Sequence, residues 1–385
     1  MSEPAFLYHE ILPENNKATG YSAHENVDFN LTLPSSRAFM LGTFRVEGEL
    51  EVKYAGRFLD SSDDVNGVIK DKSIYLNPAV GAHACFESIS TSMNGVIVEN
   101  AQDYNRWVNL ATRSTSEQGD FGNQSDQTCE LKAPYFQMTS PLLQGNIPLY
   151  QPTVPVRLNP DFSIKPMIAL NTSLRALPAD KSGVIRLTLN MARIAQILWG
   201  KDVDSQCTYA VKELRVVFTS IPAEGVDMSP IRLRTKISMK QSIQSKFSNV
   251  ALRVPGICTG VSCVFLPQAQ ENDLKKDALA LSTLPNVNSV QFAFNDATSQ
   301  LISFKLKEDT TIIHNFIKSM LDTGLNTLTP TEWANSGEGY GVGVSFNGQA
   351  VDLRNQKFSV QLNADGVNAQ TPYVIFLYFH SFVDL

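Results

Sequence analysis

Five histidines, His9, His24, His83, His314 and His380, are the side chains best suited to acid–base or metal chemistry, and none stands in an HExxH or HxH spacing. His314 lies among Ile312, Ile313, Phe316 and Ile317 and His380 lies in an apolar run, so both read as packed, hydrogen-bonded residues. Cys85, Cys129, Cys207, Cys258 and Cys263 are scattered, odd in number and without a CxxC pair, which indicates reduced, packed thiols. The glycines from Gly337 to Gly343 lack the Lys-Ser/Thr ending and the following helix of a phosphate-binding loop. Val342 to Phe346 reads as a strand instead, and the glycines as a turn. Asp60, Asp63 and Asp64 could offer oxygen ligands to a hard cation, but a solvated loop tip accounts for them better. Ser242 to Lys246 holds a Ser-x-x-Lys pattern only in loose form. No constellation supports a named reaction, a metal or a cofactor.

The elements that would have to position such residues are more informative. Ile89, Thr91 and Met93 alternate before Asn94-Gly95, and helical spacing follows over Ala101–Arg113. In the second half Val290, Phe292 and Phe294 alternate before Asn295-Asp296, and helical spacing returns over Thr311–Leu321. Alternation closed by Asn-Gly predicts a hairpin, because its turn needs positive φ at both central residues. The same switch from sheet to helix in both halves predicts two copies of one β-rich fold in tandem. Trp107 in the first copy, with Phe292, Phe294 and Phe316 in the second, are the expected packing anchors; Trp199 and Trp333 read the same way.

Around these units lie further strands, including Val27–Leu33, Ala38–Val46, Glu49–Tyr54, Ser163–Leu170, Val184–Asn190 and Val211–Thr219. A short helix is predicted from Met191 to Leu198, stopped at Gly200. Prolines through 139–160 favour an extended crossing segment. The turn-rich stretch Ile221–Pro230 is the best boundary. The closing run Tyr373–Phe382 is apolar without alternation, as a strand covered on both faces would be. The expected organisation is an arm over 1–26, a first domain over 27–221, a linker over 222–230 and a second domain over 231–385. The arm is polar, carries Pro4 and Pro13, and offers only Phe6, Leu7, Tyr8, Ile11 and Leu12 for docking, so it is expected to order on a neighbouring subunit.

A chain of 385 residues is long enough for two cores, and its net charge of −6 argues against coating nucleic acid directly. Its first twenty residues hold Glu3, Glu10 and Glu14 against Lys17 and no arginine. The start Met1–Glu10 lacks the basic and apolar regions of a secretion signal, which leads us to expect synthesis inside the cell. No apolar run approaches the roughly 20 residues of a spanning helix.

Taken in order, three segments resemble the double jelly-roll major capsid proteins of tailless icosahedral DNA viruses, the group of adenoviruses, virophages, polinton-like viruses and tectivirus-like phages. Asn77–Asn100 is similar to the family stretch in which a leading segment feeds a strand ending in Asn-Gly, with a helix after it. Val264–Gln268 followed by Leu284–Asn295 resembles the corresponding stretch of the second roll, and Val374–Leu385 resembles the closing strand. The resemblance runs from about residue 27 to the end, and order and spacing carry it rather than any single motif. It implies an all-β fold of two tandem eight-stranded jelly rolls with a few short helices. It also implies a non-enzymatic subunit that self-assembles as pseudo-hexagonal homotrimers in an icosahedral virion shell. Partners implied are other copies, penton and minor capsid proteins and, as a further candidate, an internal membrane; no sequence-specific nucleic-acid contact is implied. The alternatives are a minor vertex or penton-like protein, a glycan-binding spike, and a cupin-like enzyme, which the isolated histidines disfavour.

Overall fold

The alternating segments fold into antiparallel strands whose order of pairing defines the architecture. The computed structural model describes residues 5–59, 68–69, 74–77, 80–115, 161–281, 284, 287–294, 299–304, 309–321, 341–346 and 349–385. In the first half the main strands are β1 (Leu7–Ile11), β2 (Asn26–Leu31), β3 (Arg45–Tyr54), β4 (Phe86–Met93), β5 (Val96–Ala101), β6 (Asp161–Ile164), β7 (Ile185–Met191) and β8 (Cys207–Pro222). They form two sheets, ordered β1-β8-β3-β6 and β2-β7-β4-β5. In the second half they are β9 (Arg232–Ile243), β10 (Phe247–Leu252), β11 (Ile257–Pro267), β12 (Val287–Phe294), β13 (Ser299–Phe304), β14 (Val342–Ser345), β15 (Phe358–Ala364) and β16 (Tyr373–Asp384). Their sheets run β9-β16-β11-β14 and β10-β15-β12-β13, the same order again. First strand beside last and second beside next-to-last is the winding of a jelly roll. The chain is therefore two tandem eight-stranded jelly rolls, as expected.

The rolls are joined edge to edge. β5 borders β9 in parallel, meeting at Asn100 and Ile237, so one nine-stranded sheet spans both halves. The turn between β4 and β5 has φ of 48° at Asn94 and 76° at Gly95, with Met93 opposite Val96. That is the two-residue turn the Asn-Gly pair predicts; its counterpart at Asn295 lies outside the described residues. β16 is buried from Val374 to His380 and is covered on both faces. Phe379 meets Phe358 across the second sandwich, with ring centres 5.2 Å apart, while Tyr378 meets Trp107 on the other side at 5.3 Å.

Helices α1 (Tyr104–Thr115) and α2 (Asp309–Leu321) follow β5 and β13, so they hold the same place in the chain order. Their packing differs. α2 lies on β14 and β11 of its own roll, and a Cβ on Gly343 would collide with Ser319. α1 straddles both rolls: Tyr104 and Val108 enter the first core, Trp107, Leu110 and Ala111 the second. The edge-to-edge join explains this, because it sets the second roll's β9 and β16 against the helix that leaves β5. Ile231 and Leu233 of the second half reciprocate by entering the first core. The two domains are thus less separable than a boundary at 222–230 suggests. Elsewhere the strand expected over Ser163–Leu170 stops at Ile164, two residues before Pro166, and only Ile194–Ile197 of the Met191–Leu198 segment is helical.

The N-terminal segment also departs from expectation. β1 is the first strand of the first roll, pairing Leu7–Ile11 with Ser220–Val216 of β8. His9 stacks on Phe218 at 4.9 Å and hydrogen-bonds Ser220 at 2.7 Å, while Leu7 and Ile11 are half-buried. Tyr21 is buried and bridges Val211 further along β8. Residues 7–11 therefore belong to the chain's own sandwich, and the first roll starts near residue 7 rather than 27. An edge strand buries one face only, which leaves it with the sparse apolar content of an arm. Deleting residues 1–12 should cost the first roll at least about 2 kcal/mol, from the partial burial of Leu7 and Ile11. Denaturant unfolding of the truncated protein checks this; an unchanged midpoint would show that β1 is not part of the folded roll.

Candidate functional site: the junction between the rolls

Among the described residues no group of three or more His, Cys, Asp or Glu side chains could hold a metal ion. One pair looks superficially catalytic: the Ser262 hydroxyl lies 2.8 Å from His380 Nε2. His380 is 2% exposed, and burial, with the nearby Lys236 charge, lowers its pKa to about 3. Such an imidazole is too weak a base to activate a hydroxyl, and Ser262 is spent on Ser319 at 2.9 Å. Burial likewise pushes the Cys85 thiol up to about 12, and burial together with the Asp352 charge does the same to Cys258; Cys207 and Cys263 are buried as well. These are inert, packed thiols. His314 is on the exposed face of α2 rather than packed, correcting its reading from sequence. Asp60, Asp63, Asp64, Cys129, Trp333, Gly337 and the proline-rich 139–160 lie outside the described residues, while Val342–Ser345 is the strand expected there.

Among the described residues, most of the buried charged side chains lie where the rolls meet. Glu99 on β5 and Lys236 on β9 form an ion pair of 2.9 Å with side chains 1% and 5% exposed. Both are further satisfied: Glu99 accepts the Ala169 N–H at 2.7 Å, and Lys236 donates to the Met167 carbonyl at 2.9 Å. The ammonium also lies over the rings of Trp107 and Tyr104, at 5.4 and 5.9 Å. A buried pair gains little over an apolar substitute, but removing one partner leaves a stranded charge at about 3–5 kcal/mol.

On α1, Arg106 is 1% exposed and donates to the carbonyls of Ala278 and Ala280, with its guanidinium 4.0 Å from the centre of the Phe376 ring. Asn109, one turn on, donates to Leu279 at 2.8 Å. α1 thus reads the backbone of a second-roll loop through two polar side chains, while Tyr378 returns a hydrogen bond to the Asp103 carbonyl at 3.2 Å. Burial raises the Asp103 carboxyl pKa, against the opposing pull of Lys240 and Arg106. Sequence reading missed Glu99, Lys236, Arg106 and Asn109. Arg106 and Asn109 stand three apart beside Trp107 and Leu110, a polar pair on a stripe that should bury, which was the available signal.

The outward surfaces of the rolls differ. Over the second roll's β9-β16-β11-β14 sheet lie α1 and α2. The corresponding face of the first roll carries charges: Arg215 with Glu47 at 3.0 Å and Glu10 at 3.7 Å, and Glu51 held by Lys53 and Lys212. β1 adds Tyr8 to this face, 66% exposed, flanked by Phe6 at 64% and Leu12 at 56%. Of the expected docking residues, then, Phe6, Tyr8 and Leu12 point outward and Leu7 and Ile11 are half-buried. Of the expected anchors, Phe292 and Phe316 are fully buried, Trp107 is buried, and Phe294 is half-buried against Phe346 and Phe358.

Two outcomes follow. Trp107→Ala should cost about 3–5 kcal/mol by emptying a site in the second core; equilibrium unfolding that loses under 1 kcal/mol would refute that placement. For His380 the folded pKa lies below the ordinary 6.5, so the unfolded chain binds the extra proton. Stability is full above pH 6.5 and falls by about 1.4 kcal/mol per pH unit as pH drops from there toward 3. In His380→Gln the slope between pH 6 and 4 should be shallower by one proton; an identical slope would refute it.

No protein-family model matches the chain, and none of the curated proteins does. Solved structures do. The Faustovirus major capsid protein matches with a TM-score of 0.62 at 8% identity, over 99% of this chain and 90% of that one. The PBCV-1 virus capsid matches with 0.56 at 9%, over 99% and 94%. The mavirus major capsid protein matches with 0.52 at 11%, over 98% and 90%. With so few identical residues the likeness is one of fold, and it runs from end to end: the chain has the double jelly-roll architecture of these viral capsid proteins.

Proposed function

We propose that this protein is the major subunit of an icosahedral virion shell, a non-enzymatic building block that assembles as a homotrimer. The observation carrying the reading is the pairing order shared by both halves, in an architecture matched over nearly the whole chain by capsid proteins of large DNA viruses and a virophage. Two rolls per chain give each subunit a pseudo-two-fold body, and three such bodies around a three-fold axis make a six-lobed block that tiles a flat facet. The buried Glu99–Lys236 pair and α1 favour rolls held at one fixed angle, as tiling requires. The acidic balance of the chain leaves genome neutralisation to other components. Penton and minor capsid proteins, and a membrane beneath the shell, are the partners such a block would meet. Among the described residues no helix is long and apolar enough to cross a membrane.

Light scattering on the purified protein should give three times the chain mass, and electron microscopy should show six-lobed particles. A protein that stays monomeric and binds glycans would replace this reading with that of a jelly-roll attachment protein.

A further inference from the structure

The second roll also reaches over the first through residues 268–280, which follow β11. Past the 3-10 turn Gln268–Asn272 the segment holds no helix or strand, and it folds on itself. Gln270 donates to the Asp277 carbonyl at 2.7 Å, while the Ala280 and Leu279 N–H groups return to the Asp277 carbonyl and carboxylate at 3.2 and 2.9 Å. Asp277, Ala278 and Leu279 are buried all the same, because the first roll receives them. Leu279 enters the first core and Leu274 packs at its margin. The other described holds on the first roll are polar. Asn77 donates to the Asp277 carboxylate at 3.1 Å, and Lys275 to the Lys201 carbonyl at 2.9 Å. Arg193 meets Glu271 at 3.5 Å and donates to Asn272, while Arg106 and Asn109 hold the carbonyls of Ala278, Leu279 and Ala280. A compact loop held chiefly by one buried leucine and a set of polar contacts opens at lower cost than the strands around it.

Glu271 ties this loop to cations of both rolls, Arg193 of the first at 3.5 Å and Lys240 of β9 at 3.2 Å. Burial acts to raise its carboxyl pKa, but Lys240, Arg193 and Arg106 outweigh it and hold the group below its ordinary 4.5. Two more acids face the same cations: Glu87 of β4 lies 3.2 Å from Arg193, and Asp103, just before α1, lies 3.8 Å from Lys240. Asp103 acts in the opposite sense, because burial raises its pKa and its protonation therefore favours the folded form. For Glu271 the folded pKa lies below the unfolded one. Its contribution is whole above pH 4.5 and is lost as pH falls from there.

We propose that residues 268–280 are an acid-releasable clasp: protonation of Glu271 lets the loop lift off the first roll as a unit while both sandwiches stay folded. Its internal hydrogen bonds from Gln270, Leu279 and Ala280 to Asp277 travel with it, and those from Asn77, Lys275, Arg106 and Asn109 are the ones that part. Release leaves the rolls joined along β5 and β9, with Trp107 still in the second core. The device belongs to the folded chain and does not depend on what the chain assembles into.

Hydrogen–deuterium exchange on the full-length protein tests this, read by mass spectrometry as protection factors so that the intrinsic pH dependence of exchange cancels. The labelling time is one in which peptides from β7 and β11 take up no deuterium at pH 7. Between pH 7 and pH 4 a peptide covering 274–280 should lose protection by roughly threefold or more while those strands stay protected. Glu271→Gln should show that loss already at pH 7 and change little on acidification. Asp273→Asn, which removes a charge from the same loop without touching Arg193 or Lys240, should keep the pH response of the parent. Clasp protection that is equal at both pH values overturns the inference. So does a loss that β7 and β11 share at the same rate, since the opening is then global. A pH response that survives in Glu271→Gln, or one that Asp273→Asn flattens equally, overturns the assignment to Glu271.

Discussion

A strand edge offers N–H and C=O groups that pair readily with another strand, and where the edges find partners organises the rest. Within each roll, winding first strand against last and second against next-to-last pairs edges that lie far apart in sequence. The edge that winding leaves on β5 is covered by the next roll, which fuses two sandwiches through one nine-stranded sheet. The fusion then dictates the position of α1, the company it keeps, and the need for Lys236 to find Glu99 where two sheets would otherwise bring a bare cation into the interior. The hydrophobic cores supply most of the stabilisation, while the edges decide what must lie next to what.

The two halves answer this constraint with different chemistry on one topology. In the second roll the outward side of the β9-β16-β11-β14 sheet is roofed by helices, so β16 is buried on both faces. In the first roll the matching side is a ladder of paired charges, among them Arg215 with Glu47 and Glu51 with Lys212, and it needs no roof. A duplicated fold has thus acquired one face suited to an interior position and another suited to solvent or a polar neighbour. Gly343 marks how tightly the roofed side is fitted, since no side chain fits between β14 and Ser319.

Much of this was legible in the residues. The Asn94-Gly95 hairpin, the two helices after paired strands, the closing strand and the tandem arrangement all come from periodicity and turn chemistry, which act over a few residues. What was not legible depends on partners far away in sequence. β1 looked like an arm because half of its side chains face outward, and only β8, some two hundred residues later, makes it a strand. Arg106 and Asn109 stand out as polar residues on a stripe that should bury, but what they bind appears only when the carbonyls of Ala278, Leu279 and Ala280 are placed against them. His314 looked packed because its neighbours in sequence are apolar, yet on a helix the residues beside it point elsewhere.

The exchange of side chains between the cores bears on how the chain comes into being. α1 is made early, but the surface that receives Trp107 and Arg106 includes Phe376, Tyr378 and His380, only a few residues from the C-terminus. During synthesis the first roll therefore emerges with the apolar side of that helix uncovered, and it stays so until β16 has been made. A nascent first roll is a sticky object, and its protection in that interval falls to chaperones or to the growing second half itself. A protein interrupted anywhere before β16 would carry this bare helix into solution. Synthesis of β16, rather than completion of the first roll, is the event that covers it.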